Sequence, residues 1–157
     1  MLRKVLGSLW RAAPSFFRRW SVSLIEPRFT VTTSAVVFDE QGRVLLLKHI
    51  FRKGSGWGIP AGFIKKGEQP EEALRRELRE EVGLEVESAE IALARTHKKP
   101  AQVEIIFRCR PAGSAQPRSV EIKRAEWFDL NSLPEVLGRD QQRLIERILN
   151  DGTKPSD

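Results

Sequence analysis

The chain lacks tyrosine altogether and holds one methionine, two histidines and one cysteine in 157 residues. The lone Cys109 excludes an intrachain disulfide and suits a reducing compartment. It alternates with Val103, Ile105 and Phe107 on one face of an expected strand, which reads as a core thiol rather than a reactive one. His49 and His97 have no partner at metal-ligand spacing and read as structural or peripheral. No apolar run approaches the roughly 20 residues of a membrane-spanning helix. Acidic residues are missing from positions 1 to 25, where Arg3, Lys4, Arg11, Arg18 and Arg19 stand, so that stretch carries five of the formal net charge of +6 and the rest only one. A nearly neutral body does not supply the broad cationic footprint of an extended nucleic-acid binder.

What is present suits a soluble globular protein: 40% hydrophobic and 31% charged residues, in a length that supports one core. Three regions are expected: a basic arm over 1–28, a folded domain over 29–150 and a polar tail over 151–157. In the arm, Leu2, Val5, Leu6 and Leu9 recur at helical spacing among basic residues until Pro14, and Phe16, Phe17, Arg18, Arg19 and Trp20 follow. Its apolar stretch is short and broken by Gly7 and Ser8, which speaks against secretory cleavage, although the acid-free composition also fits an organellar transit peptide. The expectation is a retained amphipathic helix in a cytoplasmic protein, contacting an anionic membrane surface, a partner or a second copy in a homodimer.

From position 30 the pattern turns to strands. Residues 31–38 are rich in β-branched side chains, Asp39-Glu40-Gln41-Gly42 is turn chemistry, and 44–50 is a second apolar run, which together predict a β-hairpin. The glycine-rich stretch 54–62 reads as a shaped loop. Pro70 suits a first helical position, Glu71 and Glu72 meet the positive end of the helix dipole, and Gly83 is a left-handed cap, so a helix is predicted over 70–82. Further strands are expected over 91–97, 103–110 and 124–130, and a closing helix over 140–149. Helices interspersed with strands predict an α/β fold, an α/β/α sandwich with a mixed sheet.

On the helix over 70–82, Leu74, Leu78 and Val82 form an apolar stripe, and Glu77, Glu80 and Glu81, related as i, i+3 and i+4, form another. Three converging carboxylates repel one another unless a cation sits among them, and clustered oxygen donors suit Mg²⁺ or Mn²⁺. A solvated charged helix accounts for the same residues through Glu71–Arg75, Glu72–Arg76 and Arg76–Glu80 pairs, so the helix alone leaves both readings open.

The wider pattern decides. Gly62, five residues, Glu68, seven residues, then Arg76-Glu77-Leu78-Arg79-Glu80-Glu81-Val82-Gly83-Leu84 resembles the Nudix box, with all seven fixed positions and both aliphatic positions filled. At an average usage of roughly 7% per residue, a chance match is on the order of one in 10⁸ per start. The resemblance in element order runs from about 30 to 149 and leaves the arm outside. It implies a Nudix-type α/β/α sandwich and hydrolysis, dependent on Mg²⁺ with Mn²⁺ as substitute, of a phosphoanhydride in a nucleoside diphosphate linked to another group. It implies Glu77, Glu80 and Glu81 as metal ligands, joined by the backbone carbonyl of Ala61, which stands where many members carry glycine. It further implies that Arg76 orients the carboxylates and that Glu68 and Gly62 shape the loop. Glu121, four residues, then Glu126-Trp127 resembles the segment from which some members supply a further acid, which makes Glu121 the candidate extra ligand or general base, ahead of Glu126 and Glu104. The expected catalytic set is Glu77, Glu81, Arg76 and Glu121.

Arg52, Lys53, Lys65 and Lys66 flank the glycine-rich loop as candidate phosphate contacts. Phe51, Trp57, Phe63 and Trp127 are candidates to stack on a base or sugar, each with core packing as the alternative. Pro100 lies 16 residues past the box, a position that in similar chains marks many ADP-ribose pyrophosphatases. The missing tyrosine speaks against the diadenosine polyphosphate group. The small-molecule substrate expected is ADP-ribose or another nucleoside diphosphate sugar. The alternatives are a nucleoside triphosphate pyrophosphohydrolase and a nucleotide-binding regulatory module without turnover; such modules lose box carboxylates, and none is missing here.

Overall fold

The computed structural model describes Pro14, Phe16, residues 27–51, Gly54 and residues 56–151. The arm helix expected over 2–13 and the candidate contacts Arg52 and Lys53 lie outside the described residues. Among the described residues no helix is long and apolar enough to cross a membrane.

The strands bury both faces. Strand β1 (Thr30–Val37) sends Ala35 and Val37 to one side and Val36, followed by Phe38, to the other, while β2 (Val44–His49) divides Leu45 and Leu47 from Val44 and Leu46. The first set packs with Leu74, Leu78 and Val82 of α1 (Pro70–Val82), the second with Leu144, Ile145 and Ile148 of α2 (Arg139–Asp151). Sheet between two helices is the expected α/β/α arrangement. The remaining strands are β3 (Trp57–Gly58), β4 (Ala61–Phe63), β5 (Glu85–His97), β6 (Gln102–Ala112) and β7 (Ile122–Phe128). They form a four-stranded mixed sheet in the order β4-β1-β6-β5, with β1 and β6 parallel, and a three-stranded antiparallel sheet in the order β3-β2-β7.

The predicted hairpin is therefore wrong. β1 and β2 follow one another in sequence but belong to different sheets, and their ladder does not extend past the isolated bridge between Phe38 and Val44. The turn itself is tight: the Asp39 carboxylate accepts the N–H groups of Gln41 and Arg43 at 3.0 and 2.8 Å. Both runs are buried almost throughout, β1 with Thr32, Thr33 and Ser34 among its buried residues, and a strand buried on both faces occupies the middle of a sheet, so each takes two other partners. Strand β5 also begins six residues earlier than expected, because its early residues are exposed and carry no apolar alternation.

The helix expected over 70–82 has those bounds. The Glu72 carboxylate accepts the Gln69 N–H at 3.0 Å, and Gly83, at φ 66°, donates to the Arg79 carbonyl. Each buried leucine of the apolar stripe contributes about 1.5–3 kcal/mol. That stripe fixes the rotation of α1 and so sets which face its glutamates present.

Candidate active site

Gly62 lies in β4 against α1, and a Cβ at that position would overlap the Glu77 carboxyl group. Only glycine leaves the side chain its space. Next to it, the Arg76 guanidinium is a hub: Nε and Nη2 donate to the Glu68 carboxylate at 2.7 and 3.0 Å, Nη2 to the Phe63 carbonyl at 3.0 Å, and Nη1 to Glu77 and Glu80 at 2.6 and 3.3 Å. Glu68 also accepts the Lys65 N–H at 2.9 Å. One cation thus joins the loop after β4 to two carboxylates of α1.

Hydrogen bonds from Arg76 and then from the Lys65 N–H pull the Glu68 carboxyl down from 4.5 to about 2. A carboxyl whose folded value lies below its unfolded one stabilises the fold fully above the ordinary carboxylate range and loses that contribution as pH falls. Acid denaturation followed by circular dichroism should show stability falling between about pH 4.5 and 2, and Glu68→Gln should flatten that part of the curve. An unchanged curve would show that the Arg76 hub does not couple to folding.

Glu77, Glu80 and Glu81 line a cleft of about 590 Å³ together with Ala61, Glu104 and Glu121. Its walls hold five glutamates against the cations Lys65 and Arg76, an excess of three negative charges. Glu121 is exposed on the loop before β7, and that loop is tied to the end of the helix: the Arg118 and Ser119 N–H groups both donate to the Glu81 carbonyl, at 2.9 and 3.3 Å, and Gln116 N–H donates to the Val82 carbonyl at 2.9 Å. Among the described residues no three acidic, histidine or cysteine side chains are gathered at coordinating distance around one point, because Arg76 engages Glu77 and Glu80. The donor chemistry nonetheless fits a hard cation: several carboxylates line one cleft beside Ala61, with Gly62 vacating the room that Glu77 needs.

Residues 28–148 match the family model described as NUDIX domain. The chain belongs to the NUDIX family. NUDIX hydrolases act on phosphoanhydrides. Human 8-oxo-dGDP phosphatase NUDT18 is 36% identical over 118 residues, a match that covers 71% of this chain and only 36% of that protein's length. The ADP-ribose pyrophosphatase of Methanocaldococcus jannaschii is 31% identical over 115 residues, covering 70% of this chain and 68% of the relative. The crystal structure of the MutT NUDIX hydrolase from Burkholderia pseudomallei superposes with a TM-score of 0.68 at 25% identity, covering 77% of this chain and 98% of that one.

The other candidates of this NUDIX chain fall in different places. Phe63 is exposed and lines the cleft, as does Lys65, whereas Lys66 lines a neighbouring shallow groove. Trp57 is buried in the α2-side core, edge-on to Phe128 at 5.1 Å, with Lys48 and Arg124 over its ring. Trp127 packs against the α1-side core, and Phe51 is exposed outside the cleft. Glu126 pairs with Arg124 at 2.9 Å and does not line the cleft. Cys109 is buried, and desolvation pushes its thiol up to about 12, the inert core thiol expected. Sequence reasoning passed over Ser34, Gln102 and Ser119, all on the cleft wall. It also ranked Glu104 low, although a charge between Val103 and Ile105 in an apolar strand was a visible signal.

Proposed function

We propose that this chain hydrolyses a phosphoanhydride bond in a nucleoside diphosphate linked to another group, ADP-ribose or a nucleoside diphosphate sugar, with Mg²⁺ or Mn²⁺. The carrying observation is the cleft lined by the box glutamates, Ala61 and Glu121, in which Gly62 makes room for Glu77. A wall with three excess negative charges repels a diphosphate, so the cleft requires added cations before it can admit one. Glu77, Glu80, Glu81 and the Ala61 carbonyl are the groups to hold them, with Glu121 as the additional acid. A bound Mg²⁺ supplies charge neutralisation at phosphorus and a water of lowered pKa.

The chain's own residues do the rest. Arg76 orients Glu77 and Glu80 through charge-assisted bonds. Glu121, on the loop anchored to the Glu81 carbonyl, takes the proton of the attacking water. Lys65 meets a phosphate oxygen, and Phe63 offers an exposed ring to the base or sugar. Pro100, in the turn leading into Gln102 on the cleft wall, and the Methanocaldococcus relative's name both favour ADP-ribose. The human relative's name keeps nucleoside phosphates as the second reading.

A substrate panel with Mg²⁺ tests this, scoring AMP release from ADP-ribose against phosphate or pyrophosphate release from nucleoside di- and triphosphates. AMP release that excess chelator abolishes is the expected result. Preference for a triphosphate would move the assignment to the second reading, and no turnover on any substrate would favour a binding module.

A further inference from the structure

Glu104 is a carboxylate in an apolar strand, 8% exposed, facing Thr32 on β1 and Arg95 on β5. An ion buried in this way is costly unless it is paired and hydrogen-bonded. Here it is met by three side chains from the two flanking strands: Ser34 Oγ donates to Oε1 at 2.5 Å, Arg95 Nε donates to Oε2 at 2.7 Å, and His97 Nε2 lies 3.1 Å from Oε2. Desolvation by burial raises this carboxyl, but the bonds from Ser34, Arg95 and His97 outweigh it and hold the group below the ordinary carboxylate range. Arg95 is shared with Asp140 at the start of α2, at 2.8 Å, so one arginine serves two acids and the spot keeps its acceptor character.

Packing does not need this arrangement, since an apolar side chain would fill the strand position at lower cost. The position matters because Glu104, Ser34 and Gln102 line the same cleft as the box glutamates. Gln102 is itself oriented there by its Nε2 bond to Thr32 Oγ1 at 2.6 Å. A carboxylate offers about four acceptor sites, and three are engaged. An acceptor-rich wall repels phosphate, so the phosphates belong on the Lys65 side of the cleft, and the donor-bearing half of a ligand belongs here.

We propose that Ser34, Gln102 and Glu104 form the subsite for the nucleoside half of the substrate, with Glu104 accepting a hydrogen bond from a neutral donor, a base amine or a sugar hydroxyl. This rests on the reading of the cleft as a nucleotide site. Neutral nucleosides test it without metal and without turnover. Adenosine titrated into the full chain should shift the backbone amide NMR signals of His97 and Gln102, with affinity at least tenfold weaker in Glu104→Gln. Inosine lacks the base amine and 2′-deoxyadenosine lacks one hydroxyl; the one that binds wild type as weakly as adenosine binds the variant identifies the donor.

Unmoved signals, or equal affinity in wild type and variant, would overturn the proposal. If the amide spectrum shows that Glu104→Gln does not fold, Gln102→Met carries the test on the same subsite, with at least threefold weaker adenosine binding expected and equal binding refuting it. A protein that binds adenosine this way but turns over nothing in the panel would sink the hydrolysis reading and leave the subsite standing. An active enzyme whose Glu104→Gln variant binds adenosine unchanged would do the reverse.

Discussion

Glu81→Gln should lower kcat by about 10²–10³-fold at saturating Mg²⁺, with Glu80→Gln close behind, while both proteins stay folded. Each substitution keeps the size of the side chain and removes one negative charge, which weakens a hard-cation site directly. Little packing is at stake: the Glu80 side chain is 56% exposed and touches Arg76 only at 3.3 Å. The Glu81 side chain is half-buried, and its main-chain carbonyl, which holds the Arg118 and Ser119 N–H groups, is unaltered by an isosteric amide side chain. Steady-state kinetics beside near-ultraviolet circular dichroism separate the two effects. Activity within threefold of wild type in both variants would remove these residues from the catalytic machinery.

The helix was legible to the residue because three local signals agreed: Pro70 at its first position, Glu71 and Glu72 at the positive end of its dipole, and Gly83 as its left-handed cap. Periodicity then separated the packing stripe from the carboxylate stripe without any tertiary information. The strands were harder, since a turn between two apolar runs reads as a hairpin whether or not those runs pair. Only the near-continuous burial of β1 and β2 reveals that each is a central strand of its own sheet. Glu104 illustrates a second limit. A charge within a strand can be a solvated edge, a structural ion pair or a recognition group, and the partners that distinguish these, Ser34 and Arg95, are 70 and 9 residues away. The loop carrying Glu121 was nameable from its spacing to Glu126-Trp127, but its backbone attachment to the Glu81 carbonyl leaves no trace in residue type.

Gly62→Ala should cost about 10²-fold or more in kcat, a large effect for one methyl group. The backbone at Gly62 does not lie at positive φ, so the strain comes from overlap rather than from torsion. The added Cβ falls on the Glu77 carboxyl group, and α1 cannot retreat because Leu74 and Leu78 lock it to the sheet at 1% and 0% exposure. Glu77 must therefore swing away, leaving both the cleft and the 2.6 Å bond to Arg76 Nη1. Gly138→Ala is the matched control, since nothing lies within 4 Å of its added Cβ and it does not line the cleft. Thermal unfolding then isolates the cause. If the overlap is what destabilises Gly62→Ala, adding Glu77→Ala should restore most of the lost Tm while activity stays low, because the clash is gone but so is the carboxylate. A double variant no more stable than the single one would place the strain elsewhere and break the link between Gly62 and Glu77.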